Sequence, residues 1–151
     1  MKKITLLLSL AFLVFSCSDD DDSGSSVSSA DLIGTWTLVS LSEDGVAIEL
    51  DECEDNDTIT FSETRVVETS YYFNGRECVL DYIDNDEYTL SGNTLTVIYE
   101  YDENGDGEIS EDEKEEITAN VSISGSTLTI SSSGTDEDGE TYSGASVYTK
   151  S

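Results

Sequence analysis

Two segments, "YTLSGNTLTV" (Tyr88 to Val97) and "VSISGSTLTI" (Val121 to Ile130), constrain this chain more than any other feature. Each places Gly and a small polar residue between two runs that alternate apolar and polar, a pattern that fits the two-residue turn of a hairpin. Folding the first about Gly92 and Asn93 sets Leu90 opposite Leu95 and Tyr88 opposite Val97. Folding the second about Gly125 and Ser126 sets Ile123 opposite Leu128 and Val121 opposite Ile130. One face of each hairpin is therefore apolar and the other polar, so the sheet is antiparallel and must lay its apolar side on a core.

The same period of two recurs along the chain. It runs through "GTWTLVSL" (Gly34 to Leu41) and through "DTITF" (Asp57 to Phe61), where Ile59 and Phe61 share a face. In "RVVETSYYF" (Arg65 to Phe73) it groups Val67, Thr69, Tyr71 and Phe73, and in "CVLDYI" (Cys78 to Ile83) it groups Cys78, Leu80 and Tyr82. The last such run is "ETYSGASVYTK" (Glu140 to Lys150), with Gly144 marking a bend or bulge. No proline interrupts these runs and no long helical pattern competes with them. Nine or ten antiparallel strands joined in sequence predict an all-β fold, an up-and-down β-barrel that removes its own edges by closing; a β-sandwich is the alternative.

Ahead of the strands the chain divides into a leader, residues 1–16, and a linker, residues 17–30, so that the barrel domain is expected over residues 31–151. Lys2 and Lys3, then "ITLLLSLAFLVF", then Ser16 form a basic, apolar and small-residue succession typical of a signal peptide. The apolar run is shorter than the roughly 20 residues a spanning helix needs. Its ending, "VFSC", resembles a bacterial lipobox, which implies cleavage before Cys17 and lipidation of that cysteine; two or three acyl chains would give a stable membrane anchor. The following "SDDDDSGSSVSS" has one apolar residue, which has nothing to bury, and reads as a flexible tether. Its acidic run resembles the export signal of Bacteroidota surface lipoproteins, which implies an outer-membrane lipoprotein facing the cell exterior.

Cys53 and Cys78 are then an even pair in an exported protein, where a disulfide is expected, the other option being two separate buried thiols. Cleavage removes Lys2 and Lys3, leaving four basic residues against 34 acids and a net charge near −30. Such a surface repels phosphate backbones and excludes nucleic acid as a partner. The chain has no histidine, so Ser-His, Cys-His and His-metal constellations cannot be built, and its carboxylates are too numerous for any pair to stand out as acid and base. Binding rather than catalysis is the expectation.

"LIGTWTLVSL", the two cysteines, "TITFSETRV" and the "LSGNTLTV" hairpin together resemble the lipocalin-like lipoprotein domains of Bacteroidota, over most of Leu32 to Lys150. The resemblance implies a lipocalin-like barrel in which Gly34 and Trp36 match the G-x-W of the first strand, the Trp plugging the closed end. The arginine that covers this Trp in lipocalins has only Lys150 as a counterpart here. A barrel of this kind can hold a small amphipathic or apolar ligand. The side chains expected to line such a cavity are Tyr71, Phe73, Leu80, Tyr82, Tyr99 and Tyr101, whose rings and polar tips suit amphipathic molecules. The alternative is a solid barrel acting as a protein or glycan interaction module at the cell surface.

One further motif stands apart. "DENGDGEISEDE" fits a twelve-residue calcium loop, with Asp102, Asn104, Asp106, the carbonyl of Glu108, Ser110 and Glu113 as ligands and Gly107 at the sharp turn. The preceding Leu95, Val97, Tyr99 and Tyr101 keep the strand period, so the entering helix of an EF-hand is missing and the loop is expected as an insertion in a hairpin, holding one structural Ca²⁺.

Overall fold

A computed structural model of the chain describes residues 26–100, 110, 114–135 and 139–151. A four-residue helix, α1 (Ser29–Leu32), leads into nine strands: β1 (Gly34–Glu43), β2 (Val46–Ile48), β3 (Thr58–Phe61), β4 (Arg65–Phe73), β5 (Cys78–Ser91), β6 (Thr94–Glu100), β7 (Lys114–Ser124), β8 (Thr127–Thr135) and β9 (Thr141–Lys150). A single 3-10 turn, Glu54–Asn56, precedes β3. Each strand from β3 onward pairs antiparallel with the next, and β9 returns to pair with β1 from Trp36↔Lys150 to Glu43↔Gly144. The result is a closed eight-stranded antiparallel barrel, with β2 as a short flap hydrogen-bonded to the far end of β1.

The two hairpins fold in the register their sequences predict: Leu90↔Leu95 and Tyr88↔Val97 in one, Ile123↔Leu128 and Val121↔Ile130 in the other. Gly92 and Gly125 hold φ of 62° and 61° at the turns, a backbone region that L side chains rarely adopt. Their inward side chains Tyr88, Leu95, Val121 and Leu128 are all buried and meet Trp36, Phe61 and Val66 at one end of the barrel. Phe61 and Tyr88 pack edge to face at 5.2 Å, and the Tyr88 hydroxyl donates to the Ser62 carbonyl at 2.7 Å, so the polar tip is satisfied inside the core.

The packed domain begins earlier than Asp31. Val27 is only 9% exposed, its backbone N–H donates to the Asn93 side chain at 2.9 Å, and Leu32 is fully buried. Part of the segment expected to be a tether is thus drawn in, because the end of a barrel leaves an apolar opening that α1 covers. Asp31 ties that helix down by accepting from both the N–H and the hydroxyl of Ser28.

β4 faces the other way from the sequence expectation. Phe61 pairs with Val66 and Ile59 with Glu68, so Val66, Glu68 and Ser70 share the inward face and Val67 and Thr69 point outward. Two adjacent valines leave the face of this strand undetermined in the sequence. The turn decides it: the Ser62 N–H donates to the Arg65 carbonyl at 2.8 Å, which fixes where β4 begins. A bulge then shifts the β4–β5 register from Ser70↔Tyr82 to Tyr71↔Leu80, so Leu80 and Tyr82 do not share a face as strict alternation required.

Candidate functional site

The closed end is built around Trp36, which has no exposed surface and donates its Nε1–H to the Leu32 carbonyl at 2.7 Å. Lys150 lies with its Nζ 4.8 Å from the Trp36 ring centroid and also donates to the Asp31 carbonyl at 3.3 Å. Gly34 stands at φ 131°, where a Cβ would come within 3.1 Å of Lys150 Cε, so conformation and space both call for glycine. These residues close the floor.

Above the floor the barrel is hollow. Two cavities, of about 220 and 240 Å³, meet at Glu68, Ser146 and Tyr148. The deeper one is bounded by Ile59, Leu95, Val97, Ile117 and Ile130, with Tyr99 on its wall. The outer one is bounded by Leu38, Leu41, Glu54, Asp57, Ser70 and Tyr82. Alternating strands thus supply an apolar lower chamber and a polar upper one.

Glu68 holds the boundary. Its Oε1 accepts from the Tyr82 hydroxyl at 3.1 Å, and Asp84 lies directly across the β4–β5 ladder. Burial raises the Glu68 carboxyl above its ordinary value; the Tyr82 hydrogen bond opposes this, and the charges of Asp84, Asp57 and Asp86 add to the rise. Asp86 is raised too, by burial and then by Asp84. Burial first, then Glu68, pushes the Tyr148 phenol up to about 12, and Tyr82 and Tyr99 rise for the same two reasons, burial leading. All three phenols therefore stay protonated at neutral pH and keep an O–H to donate.

Asp57 joins three pieces of the rim. Its carboxylate accepts from the Ser70 hydroxyl at 3.0 Å and from the Tyr71 N–H at 2.8 Å, satisfying a donor that the bulge frees. Its carbonyl accepts from the Leu38 N–H. Burial raises its carboxyl against those hydrogen bonds. Just upstream, Cys53 is fully buried and bonded to Cys78, with Cα atoms 5.5 Å apart. The disulfide clamps the segment before β3 onto the start of β5 and so positions Glu54 and Asp57 at the outer cavity.

Of the side chains the sequence put forward as lining, Tyr82 and Tyr99 bound the cavities. Phe73 and Leu80 are 40% and 49% exposed, and with Tyr71 they bound neither, because the bulge and the β4 register turn them away from the lumen. Tyr101 lies outside the described residues. So do Cys17 and, in the proposed calcium loop, Asp102, Asn104, Asp106, Glu108 and Glu113, while Ser110 is described and exposed. Among the described residues no group of three acids, cysteines or histidines could hold a metal ion, and no helix is long and apolar enough to cross a membrane.

Sequence reasoning missed Glu68, Asp57 and Tyr148. A period-two count carried back from the Phe61 hairpin partner would have turned Glu68 inward; nothing local marks Tyr148, whose partner Leu38 is remote in sequence.

With this geometry in hand, residues 32–120 match the family described as the lipocalin-like domain. The chain belongs to the lipocalin-like domain family. The matched stretch covers α1's last residue through most of β7, and β8 and β9 complete the closure of this lipocalin-like barrel. No curated protein matches the chain. For a lipocalin-like domain the lumen is the place to look for a ligand, and here the open half of the barrel leaves room for one.

Proposed function

We propose that this lipocalin-like protein is an anchored carrier: Cys17 bears the lipid, the acidic Ser-rich tether holds the barrel outside the outer membrane, and the lumen takes a small amphipathic or apolar molecule. It binds its cargo and releases it unchanged. The observation that supports this reading best is the hollow upper half of the barrel, where two cavities lined by Tyr82, Tyr99 and Tyr148 meet above an apolar floor. The disulfide and the Asp57 hydrogen bonds hold the rim of that space in shape without a ligand, which lowers the ordering cost of binding.

The calcium loop belongs to the same reading. Its flanks, Glu100 and Lys114, pair at the end of the β6–β7 ladder and form an ion pair at 3.4 Å, so the insertion leaves and re-enters the barrel at the open end. A Ca²⁺ held by Asp102, Asn104, Asp106, the Glu108 carbonyl, Ser110 and Glu113 would stiffen the tip of that hairpin beside the entrance.

Native mass spectrometry of the mature protein taken from its own source tests the carrier reading. A mass increment from a bound small molecule, with 40 Da for Ca²⁺, is the expected result; protein that is empty of both, together with refusal of every small molecule offered, would remove it.

A further inference from the structure

Resting on the reading of the lumen as the ligand site, we infer that its occupant is a small organic cation, an amine whose charge sits beside Glu68 and whose apolar body enters the deeper cavity. The lining divides along the barrel axis in the way such a molecule requires. Below the boundary are Ile59, Leu95, Val97 and Ile130; at the boundary are one carboxylate and the rings of Tyr82, Tyr99 and Tyr148.

Charge decides the sign. Glu68 faces Asp84 directly across the ladder, an arrangement that costs stability in a sheet, and every formal charge acting on it is negative: Asp84, Asp57 and Asp86. No lysine or arginine bounds either cavity among the described residues. The basic side chains are engaged or placed elsewhere: Arg65 on Glu87, Lys114 on Glu100, Lys150 over Trp36 and Arg76 in the turn between β4 and β5. An anion entering this space meets like charge in a low-dielectric setting, and a neutral molecule desolvates Glu68 further without compensating it. A cation supplies the missing partner, and the electron-rich faces of protonated tyrosines add to its attraction.

Size and shape restrict the class further. The deeper cavity, about 240 Å³, lies below the roughly 300–1,000 Å³ of sites for drug-sized ligands, so the apolar body it takes is compact. A hard metal ion would leave the rings and the apolar chamber unused, since it takes oxygen ligands alone. Along β5 the residues on the Glu68 side of the ladder are Tyr82, Asp84 and Asp86, a negative lining that favours cations.

The test uses three probes of similar size and different charge on the full mature chain: benzylammonium, benzyl alcohol and phenylacetate, titrated by calorimetry and followed by NMR shifts of the lumen residues. The cation is expected to bind at least about tenfold more tightly than the alcohol, with no binding of phenylacetate. Glu68→Gln, which keeps the shape and an acceptor for Tyr82, is expected to weaken the cation by about 10- to 100-fold. Glu63→Gln, in the exposed turn between β3 and β4, should leave the affinity unchanged. Equal binding of the alcohol or phenylacetate, or a Glu68→Gln variant with wild-type affinity and an intact melting transition, overturns the cationic class while leaving the lumen site standing. Failure of all three probes to shift any lumen resonance overturns both.

Discussion

Reducing the Cys53–Cys78 bridge should cost this domain more than any other single chemical change. The bridge closes a loop across a sequence separation of 25 residues, and on the chain-entropy account such a crosslink removes about 3.5 kcal/mol from the denatured ensemble. A domain of about 120 residues unfolds with an entropy near 0.25 kcal/mol/K, so the melting temperature should fall by about 14 °C. The native side of the balance should change little. Cys53 is fully buried and as a free thiol remains a small apolar group, and the segment keeps other ties: the Asp51 carboxylate still accepts from the N–H groups of Cys53 and Glu54, and Asn56 Nδ2 still donates to the Cys53 carbonyl. The assay is thermal unfolding by circular dichroism with and without a phosphine reductant, beside a Cys53→Ala/Cys78→Ala variant. Agreement between reduced protein and variant, both near the stated shift, is the expected outcome. A fall below about 4 °C in both would show that the denatured chain already holds these segments together, and the entropy account would fail. Because Glu54 and Asp57 sit on the clamped segment, reduction should also weaken binding in the outer cavity.

Three further outcomes follow from the same structure. The Glu68 carboxyl is raised in the fold above its ordinary 4.5, so its contribution favours folding below that value and is lost as pH rises through the folded pKa; Glu68→Gln should therefore raise the melting temperature of the ligand-free protein at pH 7–8 and leave it unchanged near pH 4, and a variant less stable than wild type at pH 8 would refute this. Trp36→Phe removes the donor to the buried Leu32 carbonyl along with apolar area, and should cost about 3 kcal/mol in urea unfolding; a loss under about 1 kcal/mol would mean that the closed end repacks around the smaller ring. Calcium at 5 mM, against a dissociation constant of about 0.5 mM typical of weak extracellular sites, should add about 1.4 kcal/mol and raise the melting temperature by about 6 °C, an effect that Asp106→Ala abolishes; no shift in the wild type at several millimolar would leave the loop an acidic turn.

The parts of this protein that were legible in its sequence are those in which neighbours along the chain are neighbours in space. Leu90 finds Leu95 and Ile123 finds Leu128 because a two-residue turn with a glycine at positive φ, Gly92 or Gly125, folds each hairpin on itself, and the register follows from the turn alone. The all-β class and the pairing of the cysteines follow from alternation and parity, and the buried place of Trp36 follows from the resemblance of its G-x-W to the first lipocalin strand. Contacts between distant segments needed the tertiary structure. Closure depends on β9 meeting β1 across more than a hundred residues, and Val27 is buried only because the end of the barrel offers it a place. The identity of the lumen was undecidable from β4 itself, since Val66 and Val67 present equal claims to the core; the Ser62–Arg65 turn and a one-residue bulge choose between them and turn Glu68 inward and Leu80 out. A one-residue shift in a strand exchanges its faces, so composition and alternation set the antiparallel strands, while closure set the barrel and register set the carboxylate inside it.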